Sequence, residues 1–531
     1  MWKFLIIYLI ATANIINGAN ILAIFPVPTQ WHQKIYRTLT EALEDRGHKL
    51  TIISTDPQLG RNHRNTTEID MHFSHELLKK AIFSMSTKEV NSELESLSEW
   101  YNFEFEILEK QFQNDDVQYL LRNSDEKFDA VIVEHVGHTP WYAFAEYFNA
   151  PLIGISATEV TLENHEAMGN NANPIRDPDI LLPTTNQMTF QDRFNAWHFY
   201  IFYNFYYKNK FHSKFDELIK KFMPDIKSSS QELKQKTDLL LINTHPAMQF
   251  VRPMVPTTIQ IGFMHVKAPK EIENGALKSF LDQSDKSIIY MSFGSAVKSS
   301  DLQEPFLRTF KNVFKSLPYN IIWIWEMDEM PDKPDNVFIT PWVPQADLLA
   351  HPKIKLFITH GGQLSIEESI ERGVPMVVIP FFGDQGANGI RIQNLNVGVL
   401  LNIHFMDEKN LRQAIDEAIH GQCKENVLNL QSFIQDEQMK PVDKAVWWVE
   451  HVIKNNGTKH LQYNGKNVPF WTKYMLDFVL IGVVILHCIV WIIKLLLGAA
   501  FERIKAPIMK RIMRKNENPI AKKIKKKKKE N

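Results

Sequence analysis

The segment from Lys355 to Gln385 constrains the fold of this chain more than any other part of its sequence. Two apolar runs, Lys355–Thr359 and Val374–Ile379, predict buried strands, and Ser365–Glu371 predicts a helix between them. Two neighbouring strands joined through a helix run parallel, because a parallel pair needs a long crossover connection. The segment therefore predicts a βαβ unit and a parallel sheet.

Small and polar residues follow each of these two strands: His360, Gly361 and Gly362 after the first, and Asp384 and Gln385 after the second. The carboxyl ends of parallel strands are where such sheets bind ligands. Two glycines let the backbone approach a phosphate, and the helix N-terminus that follows favours its negative charge. We expect His360 to donate to a phosphate oxygen, and Asp384 and Gln385 to bind sugar hydroxyls.

The spacing of these residues resembles the signature of the UDP-glycosyltransferases. Ser365 stands three positions after the second glycine, Glu368 three positions later, and Pro375 and Pro380 come before the closing Asp384–Gln385 pair. The resemblance implies that Ser365 meets the diphosphate and that Glu368 holds the ribose. Taken alone, Ser365 and Glu368 also fit a Ser-x-x-Glu capping box at a helix start, and both roles can coexist.

Strands and helices alternate in both halves of the 531-residue chain, which predicts an α/β protein with two doubly wound parallel sheets. The resemblance implies the GT-B arrangement, in which two such Rossmann-like domains face each other over a cleft and a final helix crosses back to the first domain. The expected parts are a signal peptide at 1–19, an N-terminal acceptor-binding domain at 20–255, a linker at 256–267, a C-terminal UDP-sugar-binding domain at 268–460, a transmembrane helix at 475–497 and a basic cytosolic tail at 498–531.

A histidine stands where the first predicted strand leads into the first predicted helix. A helix N-terminus disfavours the imidazolium, so His32 should stay neutral and able to accept a proton. Its spacing after Phe25 resembles the position of the catalytic base in the family. The family commonly orients that base with an aspartate, where this chain has Glu134, whose side chain is one methylene longer. His135 and His138 lie nearby and are alternative pocket residues.

Three more residues match donor-binding positions of the family. Ser295 follows a predicted strand, where its hydroxyl and neighbouring backbone N–H groups can meet a phosphate. Trp342 and Gln345 resemble the uracil site, in which the indole stacks on the base and the amide binds the base edge or the ribose. We expect these groups to act on the diphosphate as it leaves.

No metal site is predicted, and the UDP-sugar is expected as a co-substrate without a further cofactor. Asp177 and Asp179 form an Asp-x-Asp pair of the kind that binds manganese in other glycosyltransferases, but they lie in a predicted loop and indicate a turn. The expected partners are the UDP-sugar and a small lipophilic acceptor such as a phenol or steroid. No nucleic acid is expected, and a homo-oligomer is possible.

The two ends of the chain predict a membrane anchor. Residues 1–19 fit a secretory signal peptide, with a buried first strand as the alternative. Met475–Leu497 is apolar and long enough to span a bilayer, and the lysine-rich tail after it predicts a cytosolic C-terminus. Lys528 and Lys529 resemble a dilysine signal for the endoplasmic reticulum, with lipid attraction of a polybasic tail as the alternative.

Three features concern the expected lumenal body, in a single-pass type I protein of the endoplasmic reticulum membrane. Asn65 and Asn456 begin glycosylation sequons. Cys423 has no lumenal partner, because the other cysteine, Cys488, lies in the anchor. The aromatic-rich residues 190–222 predict a helical pair packed on the core, or an acceptor pocket or membrane-contacting surface.

These observations together predict a UDP-glycosyltransferase that moves a hexose, glucose being favoured, onto a hydroxyl of a lipophilic acceptor. The family implies inversion at the anomeric carbon, and a role in detoxification. One alternative is an epimerase or hydrolase of UDP-sugars, for which no further acid–base residues can be assigned. The other is a non-catalytic UDP-sugar-binding protein, because Glu134 and Leu364 depart from the family pattern.

Overall fold

Two parallel β-sheets organise the larger of the two units into which contacts divide the chain. The larger unit runs to Tyr463 and the smaller unit starts at Asn464. The computed structural model describes residues 18–60, 65–86, 93–123, 125–184, 187–249, 251–273, 275–295, 297–516 and 519–529. Most of the predicted signal peptide, residues 1–17, lies outside the described residues.

The first half of the larger unit forms a seven-stranded sheet. Its strands are β1 (Asn20–Phe25), β2 (Lys49–Ser54), β3 (Thr66–Asp70), β4 (Ala130–Glu134), β5 (Leu152–Ser156), β6 (Leu239–Ile242) and β7 (Thr258–Gln260). All strands are parallel, in the order β3-β2-β1-β4-β5-β6-β7. Strands β4, β5 and β6 are buried along their whole length, which explains why their sequences are mostly apolar. The strand order reverses between β1 and β4.

Helices cover this sheet on both faces. They are α1 (Gln30–Asp45), α2 (Ser74–Ser86), α3 (Glu93–Phe112), α4 (Asp115–Arg122), α5 (Ala143–Tyr147), α6 (Leu162–Met168), α7 (Phe190–Phe202), α8 (Lys208–Phe222) and α9 (Ser230–Gln235). Helix α1 buries Ile35, Tyr36, Leu39 and Leu43, which recur at helical spacing. It ends before Gly47, whose φ of 90° suits a glycine after a helix C-terminus.

The second half repeats this architecture with six parallel strands. They are β8 (Ile288–Ser292), β9 (Asn320–Ile324), β10 (Val337–Thr340), β11 (Ile354–Thr359), β12 (Met376–Val378) and β13 (Gly398–Leu400). Their order is β10-β9-β8-β11-β12-β13, so the order reverses between β8 and β11. The helices are α10 (Ala276–Gln283), α11 (Glu304–Lys315), α12 (Gln345–Leu349), α13 (Gln363–Glu371), α14 (Gln385–Asn394), α15 (Glu408–His420), α16 (Cys423–Gln435) and α17 (Pro441–Asn455).

The last helix of the larger unit, α17, packs on the first half of the unit. An ion pair between Arg46 and Glu450, with Nη2 and Oε2 2.8 Å apart, lies beside this contact. Leu364 of the second half is also buried against the first-half core. The residues of α17 that join that core are Ala445, Val446, Val449 and Val452. Apolar burial therefore connects the two halves.

The predicted linker at 256–267 is not a simple connection. It contains β7, the edge strand of the first sheet, and both Ile261 and Met264 are buried in the first-half core. The first sheet therefore extends past the predicted boundary at residue 255. A strand of three residues, Thr258–Gln260, is too short to show a periodic pattern in the sequence.

The aromatic-rich residues 190–222 form one helical stretch, in which π-helical residues Tyr203–Tyr207 join α7 to α8. Phe211 and Phe215 of α8 are buried in the core of the first half. Phe190 and Trp197 of α7 are exposed, at 75% and 49% of their surface. The core-packing interpretation therefore describes α8, whereas α7 carries the exposed aromatic face.

The smaller unit contains α18 (Phe470–Lys473), α19 (Leu476–Lys515) and α20 (Pro519–Lys527). Helix α19 is the one helix among the described residues that is long and apolar enough to cross a membrane. It is 40 residues long and continues well past the predicted end of the span at residue 497. The first part of the predicted tail is therefore helical.

Candidate active site

His32 and Glu134 meet at the point where the strand order of the first sheet reverses. His32 lies in the first turn of α1, just after β1, and Glu134 is the last residue of β4. Nδ1 of His32 is 2.6 Å from Oε1 of Glu134. The side chain of His32 is 18% exposed and that of Glu134 is fully buried. Crevices at such reversal points are the usual ligand sites of open parallel sheets.

Three groups hold the carboxylate of Glu134. Besides His32, the hydroxyl of Tyr36 donates to Oε1 at 2.9 Å, and the backbone N–H of Val27 donates to Oε2 at 3.1 Å. Burial raises the pKa of Tyr36 well above its usual value, and the charge of Glu134 raises it further. Tyr36 therefore stays protonated as a donor. The side chain of Glu134, one methylene longer than the aspartate common in the family, therefore reaches His32.

The contact with Glu134 determines which nitrogen of His32 is available. An Nδ1–H that donates to the carboxylate leaves Nε2 without a proton, able to accept one. The ring stands edge-on to Tyr36, with centroids 6.2 Å apart. In this arrangement His32 can act as a general base through Nε2, while the carboxylate of Glu134 orients the ring through Nδ1.

The two alternative histidines of this region are differently placed. His135 is buried and stacked on Tyr142, with ring centroids 4.7 Å apart, and burial lowers its pKa to about 3. His138 has a positive φ of 48°, and its backbone N–H donates to the buried Glu104. Burial lowers the pKa of His138 to about 4. Neither histidine pairs with Glu134.

On the second sheet, Gly294 and His360 lie at the corresponding reversal point, after β8 and β11. A β-carbon on Gly294 would come within 2.9 Å of the His360 ring, and one on Gly362 within 2.6 Å of its Nε2. A β-carbon at either position would therefore force the imidazole to shift. Gly361 has a φ of 89°, which also favours glycine. Burial lowers the pKa of His360 to about 4, so its ring is neutral at pH 7.

Helix α13 begins two residues earlier than the sequence predicted. Its N-cap is Gly362 and its first residue is Gln363, without a side-chain cap. The capping-box interpretation of Ser365 and Glu368 is therefore wrong, because both residues lie inside the helix. Nε2 of Gln345 instead donates to Oγ of Ser365 at 3.2 Å and to Oε2 of Glu368 at 2.7 Å.

Gln345 is itself held from the other side. The hydroxyl of Tyr290, on β8, donates to its Oε1 at 3.0 Å. Both amide protons of Gln345 are thus directed at Ser365 and Glu368. Gln345 therefore orients two residues that are predicted to bind the UDP-sugar. Trp342 nearby is 72% exposed, which leaves its indole face free to stack on a base.

Two side chains of the first half contact residues of the second half that are predicted to bind the UDP-sugar. Nε1 of Trp31 donates to Oγ of Ser295 at 2.7 Å, and Nζ of Lys34 lies 3.4 Å from Oε1 of Glu368. Lys34 also lies 5.1 Å from the centroid of the Trp31 ring. The start of α1 therefore faces the donor loops across the cleft between the two sheets.

Asp384 and Gln385 stand at the start of α14. Nδ2 of Asn388 donates to Oδ2 of Asp384 at 2.8 Å, and burial raises the pKa of Asp384. Oε1 of Gln385 accepts from the backbone N–H groups of Phe381 and Phe382 at 2.8 and 3.1 Å. The carbonyl of Gln385 thus fixes the loop, while its amide N–H₂ group remains for a ligand.

Comparison with known proteins decides the family. The model of the UDP-glucoronosyl and UDP-glucosyl transferase family matches residues 24–510. The chain belongs to this family. It is 31% identical over 483 residues to UDP-glucosyltransferase 2 of Dactylopius coccus, covering 89% of this chain and 91% of that protein. It is 30% identical over 512 residues to the ecdysteroid UDP-glucosyltransferase of Spodoptera littoralis nuclear polyhedrosis virus, covering 89% and 96%.

Solved structures agree on the fold. A UDP-glucosyltransferase from Polygonum tinctorium, described as capable of glucosylating indoxyl, superposes with a TM-score of 0.57 at 14% identity. The match covers 82% of this chain and 99% of that one. The predicted architecture of two parallel-sheet domains in the GT-B arrangement is confirmed, and the chain is a UDP-glycosyltransferase enzyme.

Several contacts of this UDP-glycosyltransferase were not predicted from its sequence. Tyr36 stands one helical turn after His32, so the two side chains lie on the same face of α1. This spacing could have indicated that both contact the same residue, Glu134. Trp31, Lys34 and Tyr290 carried no such signal, because each reaches a residue more than 50 positions away.

The Asp177–Asp179 pair is a loop element, as the sequence indicated. Asp179 is buried and accepts from the backbone N–H of Leu162 at 2.9 Å and of Leu181 at 3.1 Å. These contacts fix the path of the chain before α6 and through the loop that contains Asp179. They give both oxygens of Asp179 a structural role.

Proposed function

We propose that this enzyme transfers glucose from UDP-glucose to a hydroxyl group of a small lipophilic acceptor, with inversion at the anomeric carbon and with His32 as the base. The observation that carries the proposal is the 2.6 Å contact between Nδ1 of His32 and the buried Glu134. This pair lies at the carboxyl ends of the two central strands β1 and β4, where α1 faces the donor loops.

In the proposed reaction, Nε2 of His32 takes the proton of the acceptor hydroxyl. The acceptor oxygen attacks the anomeric carbon, and the bond from that carbon to the diphosphate oxygen breaks. UDP leaves with the bonding electrons, and the new glycosidic bond forms on the opposite face of the sugar. Glu134 stabilises the imidazolium that results, because its charge lies against Nδ1.

The leaving diphosphate gains negative charge as its bond to the sugar breaks. The hydroxyl of Ser295, the ring N–H of neutral His360 and the N-terminus of α13 at Gly362 are the proposed donors to it. Removing one such preorganised donor typically costs about 3–4 kcal/mol of transition-state stabilisation. Ser365 and Glu368, both oriented by Gln345, complete the proposed diphosphate and ribose contacts.

Glucose is the proposed sugar because of the charge at Asp384. Its carboxylate can accept from sugar hydroxyls, whereas the carboxylate of glucuronate would bring a second negative charge towards it. The relatives from Dactylopius coccus and from the Spodoptera littoralis virus are both named UDP-glucosyltransferases. The name of the viral relative also specifies an ecdysteroid, which supports a steroid-like acceptor.

We therefore expect kcat/KM for UDP-glucose to exceed that for UDP-glucuronate by about tenfold or more, which corresponds to about 1.4 kcal/mol. The measurement is transfer by the full-length protein in membranes, with a panel of phenols and steroids. Asp384→Asn should reduce the ratio of kcat/KM for UDP-glucose to kcat/KM for UDP-glucuronate. The substitution removes the repelling charge and keeps the shape of the side chain. Faster turnover with UDP-glucuronate would overturn the choice of sugar.

The same assay separates this function from its two alternatives. A transferase releases UDP from UDP-glucose in proportion to the acceptor supplied. A hydrolase would release UDP at the same rate without acceptor, and an epimerase would change the sugar without releasing UDP. A binding protein would do neither, although it would still bind UDP.

We further propose that α19 anchors the enzyme in the endoplasmic reticulum membrane, with the catalytic body lumenal. The support is its apolar length and the basic residues after it. Deleting residues 528–531 should leave activity intact and let the glycans at Asn65 and Asn456 mature, because it removes Lys528 and Lys529. Both asparagines are exposed. Unchanged, endoglycosidase-sensitive glycans in the truncated protein would contradict the dilysine signal.

A further inference from the structure

A cluster of two histidines and one carboxylate lies at the carboxyl edge of the first sheet. Asp56 follows β2, His72 follows β3, and His75 is in the first turn of α2. One side-chain nitrogen of each histidine and one carboxylate oxygen of Asp56 all lie within 4.8 Å of one another. Neither the transfer reaction nor the donor site uses any of these three residues.

We propose that Asp56, His72 and His75 form a binding site for a divalent transition-metal ion, for which Zn²⁺ is the best fit. Imidazole and carboxylate ligands together suit Zn²⁺ and its neighbours better than Mg²⁺ or Ca²⁺, which prefer oxygen alone. Zn²⁺ bonds of about 2.0–2.1 Å to nitrogen and oxygen place tetrahedral ligands about 3.4 Å apart. The ligand atoms would have to approach one another to reach that separation, and the exposed His72 is the residue with the most room to move.

One ring nitrogen of each histidine is available as a ligand. Nδ1 of His72 lies 3.3 Å from the backbone carbonyl of Thr55, which holds this nitrogen as the donor and leaves Nε2 for an ion. Ligating histidines usually donate their second ring nitrogen in this way. Nε2 of His75 is shielded from solvent and has no hydrogen-bond partner among the described residues. An ion would supply the partner that this buried nitrogen lacks.

The charges around the cluster also favour a cation. Asp70 accepts from the backbone N–H of His72 at 2.7 Å, which adds a second carboxylate beside the ligands. Of the nearby cations, Arg37 is paired with Glu68 through two contacts of 2.6 Å. Lys79 is exposed on α2, and its Nζ lies 3.6 Å from Oε1 of Glu76.

The cluster connects to the loop that carries the proposed base. The hydroxyl of Thr55, the residue before Asp56, donates to the backbone carbonyl of Val27 at 3.0 Å. Nε2 of Gln33 donates to the same hydroxyl at 3.2 Å. An ion held by the cluster would therefore fix the end of β2 against the segment that leads into α1. We assign it a structural role, which predicts a gain in thermal stability on binding.

The test uses the full-length protein in detergent, stripped with a chelator and then titrated with Zn²⁺ by calorimetry. Co²⁺ serves as a second probe, because its visible absorption reports coordination by nitrogen and oxygen. One equivalent of Zn²⁺ should bind and raise the melting temperature. His75→Ala and Asp56→Asn should each weaken binding by about tenfold or more. Asp56→Asn keeps the side-chain shape, so it remains informative if His75→Ala folds poorly.

A matched control is available in the pair His451 and His460, whose Nε2 atoms lie 3.3 Å apart on an exposed surface. His460→Ala removes this competing pair and should leave the bound equivalent and its affinity unchanged. The proposal is overturned if the parent protein does not bind Zn²⁺ at about 100 μM, a concentration that would fill about nine-tenths of a site with a dissociation constant of about 10 μM. It is equally overturned if His75→Ala and Asp56→Asn bind Zn²⁺ as tightly as the parent protein, whether or not His460→Ala abolishes binding.

Discussion

Replacing His32 by alanine is expected to lower kcat for glucosyl transfer by about 10²–10⁴-fold, the usual contribution of a positioned general base. Binding of UDP should change little, because the imidazole acts on the acceptor hydroxyl, and the proposed donor contacts lie on the second half. The measurements are steady-state transfer with a phenol acceptor and calorimetric titration with UDP. The variant should fold normally, since His32 is partly exposed and its removal leaves no cavity in the core.

His138→Ala is the comparison variant for this prediction. Burial, and to a smaller extent the nearby His32, lowers the pKa of His138, and His138 makes no contact with Glu134. Its replacement should alter KM for the acceptor more than kcat. If His138→Ala loses transfer and His32→Ala retains it, the assignment of the base is wrong. Loss of UDP binding in His32→Ala would instead show that His32 is a structural residue.

Replacing Glu134 by glutamine is expected to lower kcat by about a hundredfold or more with a small change in KM for the acceptor. The carboxylate accepts from His32, from Tyr36 and from the backbone N–H of Val27. An amide has one accepting oxygen, so its N–H₂ group would face at least one of these donors. It also lacks the charge that stabilises the imidazolium. An orienting residue acts mainly in the transition state, which is why kcat carries the loss.

Tyr36→Phe is the matched control, because it removes one donor to Glu134 and leaves the charge and the ring in place. The hydrogen bond that it removes goes to a charged group and is worth about 1.5–3 kcal/mol. Its effect on kcat should be smaller than that of Glu134→Gln, because the carboxylate keeps its charge and its contact with His32. Glu134→Asp keeps the charge but shortens the side chain by one methylene, so it should retain more activity than Glu134→Gln only if the shorter carboxylate still reaches His32. An unchanged kcat in Glu134→Gln would remove Glu134 from the mechanism.

The two strands predicted around the His360 motif, Lys355–Thr359 and Val374–Ile379, agree with β11 and β12 to within two residues. Their apolar residues are buried inside the sheet, so burial leaves a pattern that can be recognised in the sequence. Strands β3, β7 and β13 carry no such pattern. Strand β3 is a polar, half-exposed edge strand, and the other two have three residues each. In such segments the pairing partner decides the conformation, and sequence periodicity gives no signal.

The donor site shows the same division between local and tertiary information. The motif around His360 predicted which residues lie at the strand ends, because backbone conformation there is limited by two glycines next to the ring. The start of α13 was predicted incorrectly, because Ser365 and Glu368 satisfy a capping pattern that Gly362 pre-empts. Which partner Ser365 takes depends on Gln345, which lies 20 residues away.

The sequence by itself determined the fold class, the family and the residues at the ends of the strands, because these follow from local apolar patterns and motif spacing. Only the tertiary structure decided that Glu134 reaches His32, and that Trp31 meets Ser295. It also brought Asp56 together with His72 and His75. Each of these contacts joins segments well apart in the chain, and their meeting depends on the order of the strands in a sheet or on the packing of the two halves. Strand order is a property of the whole core, so no local pattern encodes it.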